Sequence, residues 1–131
     1  LMRIGLISDT HGLLRPEAVD ALRGSDRILH AGDIGDPAIL DALAALAPVD
    51  AIRGNNDTDA WAMALPETRI VRVGEVAIYM LHDAKQLASR PPGTAVDVIV
   101  AGHSHAPRVE HRADGVLLAN PGSAGRRRFR L

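Results

Sequence analysis

The sequence contains no cysteine. This absence excludes both a disulfide framework and a zinc site built from thiolates. Any transition metal held by this chain must therefore be bound through the nitrogen and oxygen atoms of histidine, aspartate, glutamate or asparagine. Long apolar runs are missing as well: no stretch of 18 consecutive apolar residues occurs, so no transmembrane helix is predicted.

A secretory leader would combine a basic segment with a long apolar one, whereas this chain enters a strand-like segment at Met2. We therefore expect a cytoplasmic protein without membrane contact, and we leave Leu1 out of the fold prediction. The formal net charge of −1 argues against a general attraction to nucleic acid. Nucleic-acid binding stays open because of a local basic run, formed by Arg126, Arg127, Arg128 and Arg130.

The length and composition are ordinary for one globular domain: 131 residues, of which 47% are hydrophobic and 24% charged. No internal repeat, linker or low-complexity segment interrupts the chain. We expect a single domain over residues 2–131, and the composition leaves a homo-oligomer open.

In the first half of the chain, a strand-like run, a polar loop and a helix-like segment follow one another repeatedly. Pro16 and Pro37 suit the first turn of two helices, of which the first is predicted to end near Leu22. Alternation of this kind predicts an α/β architecture. The strands predicted here are Met2–Ser8, Arg27–Ala31 and Val49–Ile52.

The second half has a different pattern. Two strand-like runs, Thr68–Val73 and Val76–Leu81, are separated by two residues, which predicts an antiparallel hairpin. A short helix is predicted over Ala84–Ser89, before a pair of prolines. Further strands are predicted at Val96–Ala101, Arg108–His111, Val116–Asn120 and Arg126–Leu131.

Metal-capable side chains follow several of these strands. Asp9 and His11 are spaced i, i+2, as are His103 and His105, so each pair can grip one ion where the backbone is extended. Two ions about 3.5–4 Å apart need a bridging carboxylate, and Asp33, alone on its loop, is the natural candidate. Two divalent ions, two aspartates and a hydroxide leave one net positive charge, which attracts a phosphate.

These residues resemble the motifs of the calcineurin-like metallophosphoesterases, and more narrowly the small bacterial and archaeal phosphodiesterases of the YfcE type. The resemblance covers Met2 to about Ser123, and includes the Asn120–Ser123 segment. The motifs that carry it are Asp9-x-His11, Gly32-Asp33, Gly54-Asn55-x-Asp57, His82 and Gly102-His103-x-His105.

The resemblance implies an α/β fold, a four-layer αββα sandwich of two mixed sheets flanked by helices. It implies a binuclear centre in which a hydroxide between two divalent metals attacks the phosphorus of a small phosphodiester. Mn²⁺ is the favoured metal, with Ni²⁺, Fe²⁺ and Zn²⁺ as alternatives. The implied ligands are Asp9, His11 and His105 for one metal, Asn55, His82 and His103 for the other, and Asp33 as the bridge.

Two positions depart from the family pattern. Many relatives carry histidine where Asn56 stands, a residue thought to protonate the leaving oxygen or to bind phosphate. Asparagine cannot donate that proton, and such donation contributes about 10²–10⁴-fold to a rate, so we expect phosphodiesters to be preferred over monoesters. Asp83 follows His82 where relatives usually have glycine, and it either approaches the second metal or faces solvent.

Asn56 and Asp57 are assigned to the catalytic set, with capping or orientation of neighbouring groups favoured over metal ligation for Asp57. Asp9 and Asp33 have the alternative of capping the helices that follow them. His30 and His111 are expected to pack or to face solvent rather than to act in the site. Trp61 and Met63 are expected to form an apolar patch under a loop, with lining of the substrate cleft as the alternative.

A function of another class is a non-catalytic protein-binding scaffold, as in the retromer subunit that resembles this fold but has altered ligands. In the present sequence every ligand position is filled, which favours an enzyme, whereas Asn56 keeps the scaffold open. A small nuclease is a lesser alternative. A dinucleotide-binding protein is disfavoured, because no G-x-G-x-x-G follows the first strand.

Overall fold

A computed structural model describes residues 2–104 and 106–123. The first part of the chain forms a three-stranded parallel sheet in the order β1-β2-β3, with a helix in each connection. Proline occupies the first turn of both helices, as the sequence predicts. The elements are β1 (Ile4–Ile7), α1 (Pro16–Leu22), β2 (Arg27–His30), α2 (Pro37–Ala44) and β3 (Val49–Ala51).

The rest of the described chain forms a five-stranded mixed sheet in the order β4-β5-β6-β8-β7. The outer pairs are antiparallel, and β5, β6 and β8 run parallel to one another. Helix α3 (Ala60–Met63) precedes this sheet, and a 3₁₀ helix (Ala84–Gln86) follows β5. The strands are β4 (Thr68–Val73), β5 (Val76–Leu81), β6 (Val98–Val100), β7 (Arg108–His111) and β8 (Leu117–Asn120).

Three apolar clusters pack the layers of the fold together. The first packs the α-helices against one face of the three-stranded sheet, around Ile28 and Leu43. The second fills the space between the two sheets, around Leu29 and Met80. The third covers the outer face of the five-stranded sheet with the segment that contains the 3₁₀ helix. The predicted fold class, two sheets flanked by helices, is confirmed.

Some details differ from the prediction. The described strands of the three-stranded sheet are all parallel rather than mixed, because a helix returns the chain to the same end of the sheet each time. Helix α3 was not predicted, since its four residues, Ala60–Met63, are too short for a helical pattern to show.

No helix of the described residues is long and apolar enough to cross a membrane.

The helix predicted over Ala84–Ser89 is reduced to a 3₁₀ turn, Ala84–Gln86. The Asp83 carboxylate accepts a hydrogen bond from the Lys85 amide and starts the turn, and the Tyr79 hydroxyl donates to the Arg90 carbonyl at 2.6 Å. These contacts hold the segment against the sheet, and the amides of Gln86, Leu87 and Ser89 bond to carbonyls three residues back, which is the 3₁₀ pattern rather than the α-helical one. The strand predicted over residues 126–131 lies outside the described residues.

Candidate metal centre

The loops after β1, β2, β5 and β6 bring five candidate ligands together in two trios. In each trio, one ligand atom per residue lies within 4.8 Å of the others. Asp33, which follows β2, belongs to both trios and is the single residue they share. The trios are Asp9, His11 and Asp33, and Asp33, His82 and His103.

Four of these five residues have a left-handed backbone. The φ angles are 56° at Asp9, 47° at His11, 58° at Asp33 and 68° at His103. Among the described residues, no other non-glycine residue has a positive φ. Such a backbone costs about 1–3 kcal/mol per residue, and it persists where the surrounding structure and a function require it. The strain is therefore concentrated on the candidate ligands.

One histidine of each trio directs Nε2 towards the carboxylates of Asp9 and Asp33. His11 Nε2 lies 3.7 Å from Asp9 Oδ1 and 3.8 Å from Asp33 Oδ2. His82 Nε2 lies 3.2 Å from Asp33 Oδ2 and 3.8 Å from Asp9 Oδ1. The Asp9 and Asp33 side chains are almost fully buried, so these charges are poorly screened by solvent.

The tautomer of His82 shows that a cation fits here. Its Nδ1 lies 2.7 Å from the Ala31 carbonyl, which only accepts, so Nδ1 carries a proton. The buried Nε2 makes no hydrogen bond to the described residues and, in the neutral ring, points a lone pair at carboxylate oxygens. Burial tends to lower the pKa of His82, but the acceptors around it, Asp33 first, raise that pKa. A second proton, on Nε2, would give the ring a positive charge. A metal ion bound at Nε2 would supply positive charge in its place.

Asn56 holds Asp33 in place, and His82 and Asn56 together keep its carboxylate ionised. The Asn56 backbone amide donates to Asp33 Oδ1 at 2.9 Å, and its side-chain amide donates to Oδ2 at 3.0 Å. Burial would raise the pKa of Asp33, but the His82 ring and the Asn56 amide outweigh it and lower the pKa to about 2. Asparagine at this position thus orients the shared carboxylate.

Asp57 contacts backbone rather than the candidate ligand atoms. Its buried carboxylate accepts hydrogen bonds from the amides of Ile34, Gly35 and Gly54, at 2.9 to 3.1 Å. These amides belong to the loops after β2 and β3. Asp57 therefore joins the loop of Asp33 to the loop of Asn55.

A cavity of about 430 Å³ opens beside the second trio. His82 and His103 line it together with Asn55, the remaining predicted ligand of that metal. The two imidazole rings meet edge to face, with centroids 5.2 Å apart. Asp83 also lines the cavity, and its Oδ2 lies 3.8 Å from His103 Nε2. Asp83 thus faces the site.

The structure brings most of the predicted ligands together. Asp9, His11, Asp33, His82 and His103 form the two trios, and Asn55 lines the adjoining cavity. The remaining predicted ligand, His105, lies outside the described residues, as does the basic run from Arg126 to Arg130.

The alternative capping roles of the aspartates do not occur. Helix α1 has Arg15 at its N-cap, and α2 has Asp36, whose side chain accepts from the Ala38 amide. Asp9 and Asp33 both lie nearer the start of their loops and direct their carboxylates to the trios instead.

Sequence reasoning missed several residues that fix the ligand loops. Asp9 Oδ2 accepts hydrogen bonds from the Ser8 hydroxyl and from the His103 amide. The Ser123 hydroxyl donates to the Asp9 carbonyl at 3.2 Å, and Asn120 Nδ2 donates to the Gly102 carbonyl at 3.1 Å. The Asn120–Ser123 turn therefore connects the β1 and β6 loops. The polar residues at its two ends, Asn120 and Ser123, were the feature of the sequence that could have indicated this role.

His30, expected to pack or face solvent, is fully buried and bonded on both ring nitrogens. Its Nδ1 accepts from the Gly32 amide, and its Nε2 lies 3.1 Å from Thr10 Oγ1. His111 is exposed on β7, as expected. Trp61 packs partly against the first apolar cluster, as expected. The expectation for Met63 is wrong, because its side chain lies on the solvent-facing side of the short helix α3 and is 56% exposed.

A model of the calcineurin-like phosphoesterase superfamily domain matches residues 2–131. A probable metallophosphoesterase of Methanothermobacter thermautotrophicus is 40% identical over 134 residues, covering 93% of this chain and 77% of the relative. The family match therefore includes every candidate ligand loop.

Solved structures with the same fold include proteins of different names. Vps29 of Chaetomium thermophilum is 25% identical with a TM-score of 0.77, covering 92% of this chain and 71% of that one. Yfce, a phosphoesterase from E. coli, is 25% identical with a TM-score of 0.68, covering 94% and 80%. Similarity of fold alone therefore does not decide whether this chain shares the phosphoesterase activity named for Yfce.

Proposed function

Because this chain belongs to the calcineurin-like phosphoesterase superfamily, we propose that it is a phosphodiesterase with two divalent metal ions. The observation that carries the proposal is the shared position of Asp33, the one residue common to both ligand trios. A carboxylate in that position can bind two ions at once, as binuclear hydrolases require.

The first ion would be held by Asp9, His11 and Asp33, with His105 as the further ligand. The second would be held by Asp33, His82 and His103, with Asn55 completing the set. When bound, such ions supply positive charge at the phosphoryl oxygens and lower the pKa of water. Mn²⁺ is the metal favoured from the family resemblance, with Ni²⁺, Fe²⁺ and Zn²⁺ as alternatives, since carboxylate and imidazole donors accept all four.

The protein side chains orient this centre. Asn56 holds both oxygens of Asp33, and Asp57 holds the two loops on either side of it. The Ala31 carbonyl fixes the His82 tautomer that presents Nε2. We place Asn56 and Asp57 as positioning residues of the catalytic set.

A diester is favoured over a monoester because Asn56 has no proton to give to a leaving alkoxide. A diester with an adequate leaving group needs less help of this kind than a monoester of a poor one. The substrate is thus a small phosphodiester. The cytoplasmic location stays a prediction, as does the single domain over residues 2–131.

The second candidate is a non-catalytic protein-binding scaffold, favoured by the Asn56 departure. In that case the metal ions would be structural. The filled ligand positions and the strained backbone of Asp9, His11, Asp33 and His103 support the enzyme.

The test is hydrolysis of bis-p-nitrophenyl phosphate and p-nitrophenyl phosphate by EDTA-treated protein, with and without Mn²⁺, Ni²⁺, Fe²⁺ or Zn²⁺. We expect metal-dependent turnover, with the diester preferred. Asp33→Asn should abolish most of it, whereas Asp41→Asn, an exposed aspartate on α2, should leave it unchanged. Metal-loaded protein that hydrolyses no phosphoester would favour the scaffold.

A further inference from the structure

The cavity beside the second ligand trio includes a charged wall that the proposed chemistry does not use. Two arginines and one glutamate line it, Arg53, Arg90 and Glu67. Glu67 lies between the two guanidinium groups, bonded to Arg53 Nη2 at 2.8 Å through Oε1 and to Arg90 through Oε2. This wall is therefore built from an ordered set of charges.

Arg53 is anchored to the backbone as well. Its Nη1 donates to the Leu65 carbonyl at 2.6 Å, and only 21% of its side chain is exposed. An arginine fixed in this way loses little conformational entropy when it binds an anion. Arg90 is more exposed, at 44%, and within the described chain its one ionic partner is Glu67.

The charges on this wall do not balance. Arg90 first, and then Arg53, hold the pKa of Glu67 below its usual range, so Glu67 carries its full negative charge. One carboxylate against two guanidinium groups leaves one positive charge. The wall is therefore suited to an anion.

The part of the lining beside His103 has the opposite charge. Asp83 lies there, 3.8 Å from His103, and adds a negative charge beside the ligand trio. Thr68 and Gln86 add polar groups to the lining, and among the described residues no phenylalanine, tyrosine or tryptophan lines the cavity. An elongated ligand is thus oriented with its anionic end away from Asp83 and towards the arginines.

We propose that this cavity receives one ester group of the phosphodiester, and that Arg53 and Arg90 recognise a second anionic group on it, a carboxylate or a phosphate-like group. This inference rests on the proposed phosphodiesterase function. A volume of about 430 Å³ accommodates such a group, since small-molecule pockets begin near ~300 Å³.

The test compares three p-nitrophenyl phosphodiesters whose second ester group is butyl, 3-carboxypropyl or 3-phosphonopropyl. We expect kcat/KM for the anionic esters to exceed that for the butyl ester by about tenfold, the contribution of one charge-assisted hydrogen bond. The carboxylate and phosphonate arms show which anion is preferred.

Three variants identify the wall as the cause. Arg90→Gln should abolish the preference for the anionic esters, and Glu67→Gln, which removes the compensating charge, should increase it. Arg72→Gln, an exposed arginine of β4 outside the cavity, should leave the ratio unchanged.

The failure of this inference differs from failure of the proposed function. Hydrolysis of all three esters at similar kcat/KM, or a preference that survives Arg90→Gln, would overturn the anion subsite while leaving a phosphodiesterase. Absence of hydrolysis of every ester with every metal would overturn the phosphodiesterase and the subsite together.

Discussion

His30 Nε2 lies 3.1 Å from Thr10 Oγ1, in the buried space between the loops of Asp9 and Asp33. The Gly32 amide donates to His30 Nδ1, so the neutral ring carries its proton on Nε2 and donates it to Thr10. Thr10 Oγ1 in turn donates to the Ile34 carbonyl at 2.8 Å. This chain of hydrogen bonds joins the first two ligand loops without contacting a metal position.

The buried His30 predicts a pH dependence of stability. Burial lowers the pKa of His30 from 6.5 to about 4, although Asp57 partly opposes this. The unfolded chain therefore binds more protons between these two pH values, and stability falls as the pH is lowered through them. In metal-free protein, the loss from this group should approach about 3 kcal/mol by pH 4.

Chemical denaturation from pH 7 to pH 4 measures this loss. His30→Gln keeps an amide donor for Thr10 but cannot titrate, so its free energy of unfolding should fall less over that range than that of wild type. His111→Gln, on the exposed β7, should behave like wild type. Parallel profiles for wild type and His30→Gln would show that His30 does not titrate in this way.

Gly54 is required by its contact with the shared carboxylate. A Cβ at this position would lie 2.2 Å from Asp33 Oδ1 and 2.4 Å from Asp33 N. In Gly54→Ala, Asp33 must move, and we expect about a 10–100-fold loss of metal affinity, as for other changes that displace a ligand. Thr58→Ala, an exposed change on the same loop, is the control.

The affinity of both variants for Mn²⁺ is measured by calorimetric titration. Circular dichroism shows whether each variant is folded before metal is added. Wild-type Mn²⁺ affinity in folded Gly54→Ala would contradict the close packing of Gly54 on Asp33.

Asn56 predicts a change of substrate preference. Replacement by histidine restores a side chain able to donate a proton to a leaving oxygen. Asn56→His should therefore raise turnover of a monoester with a poor alkyl leaving group, glycerol 2-phosphate, relative to p-nitrophenyl phosphate, whose leaving group needs no proton, by up to about 10²-fold. Asn56→Ala loses the hydrogen bond to Asp33 without gaining an acid, and it should lower both rates. The ratio of kcat values for the alkyl and the p-nitrophenyl monoester separates the variants.

An equal ratio in Asn56→His and Asn56→Ala would show that a side chain at this position does not protonate the leaving oxygen. The diester preference would then have to come from the binding of the second ester group.

The candidate ligands could be found from the sequence because they follow strands. Asp9 and Asp33 come directly after apolar runs, and the carboxyl ends of parallel strands meet at one edge of a sheet. Strand bounds such as Thr68–Val73 and Val76–Leu81 were also predictable, because two residues suffice for the hairpin turn between them.

The supporting contacts could not be found in the same way. His30 and Thr10 are 20 residues apart, and only the parallel pairing of β1 and β2 brings them together. The clamp of Asn56 on Asp33 likewise spans 23 residues and depends on loop geometry rather than on periodicity. Contacts of this kind arise from tertiary structure, which a local pattern does not encode.

Asp33 would bridge two metal ions, because it belongs to both ligand trios. The most direct test measures Mn²⁺ binding to EDTA-treated protein by calorimetry and by electron paramagnetic resonance on the same samples. We expect two Mn²⁺ ions per chain with an exchange-coupled spectrum in wild type, and loss of the coupling in Asp33→Asn. One ion per chain, or two uncoupled ions in wild type, would contradict it.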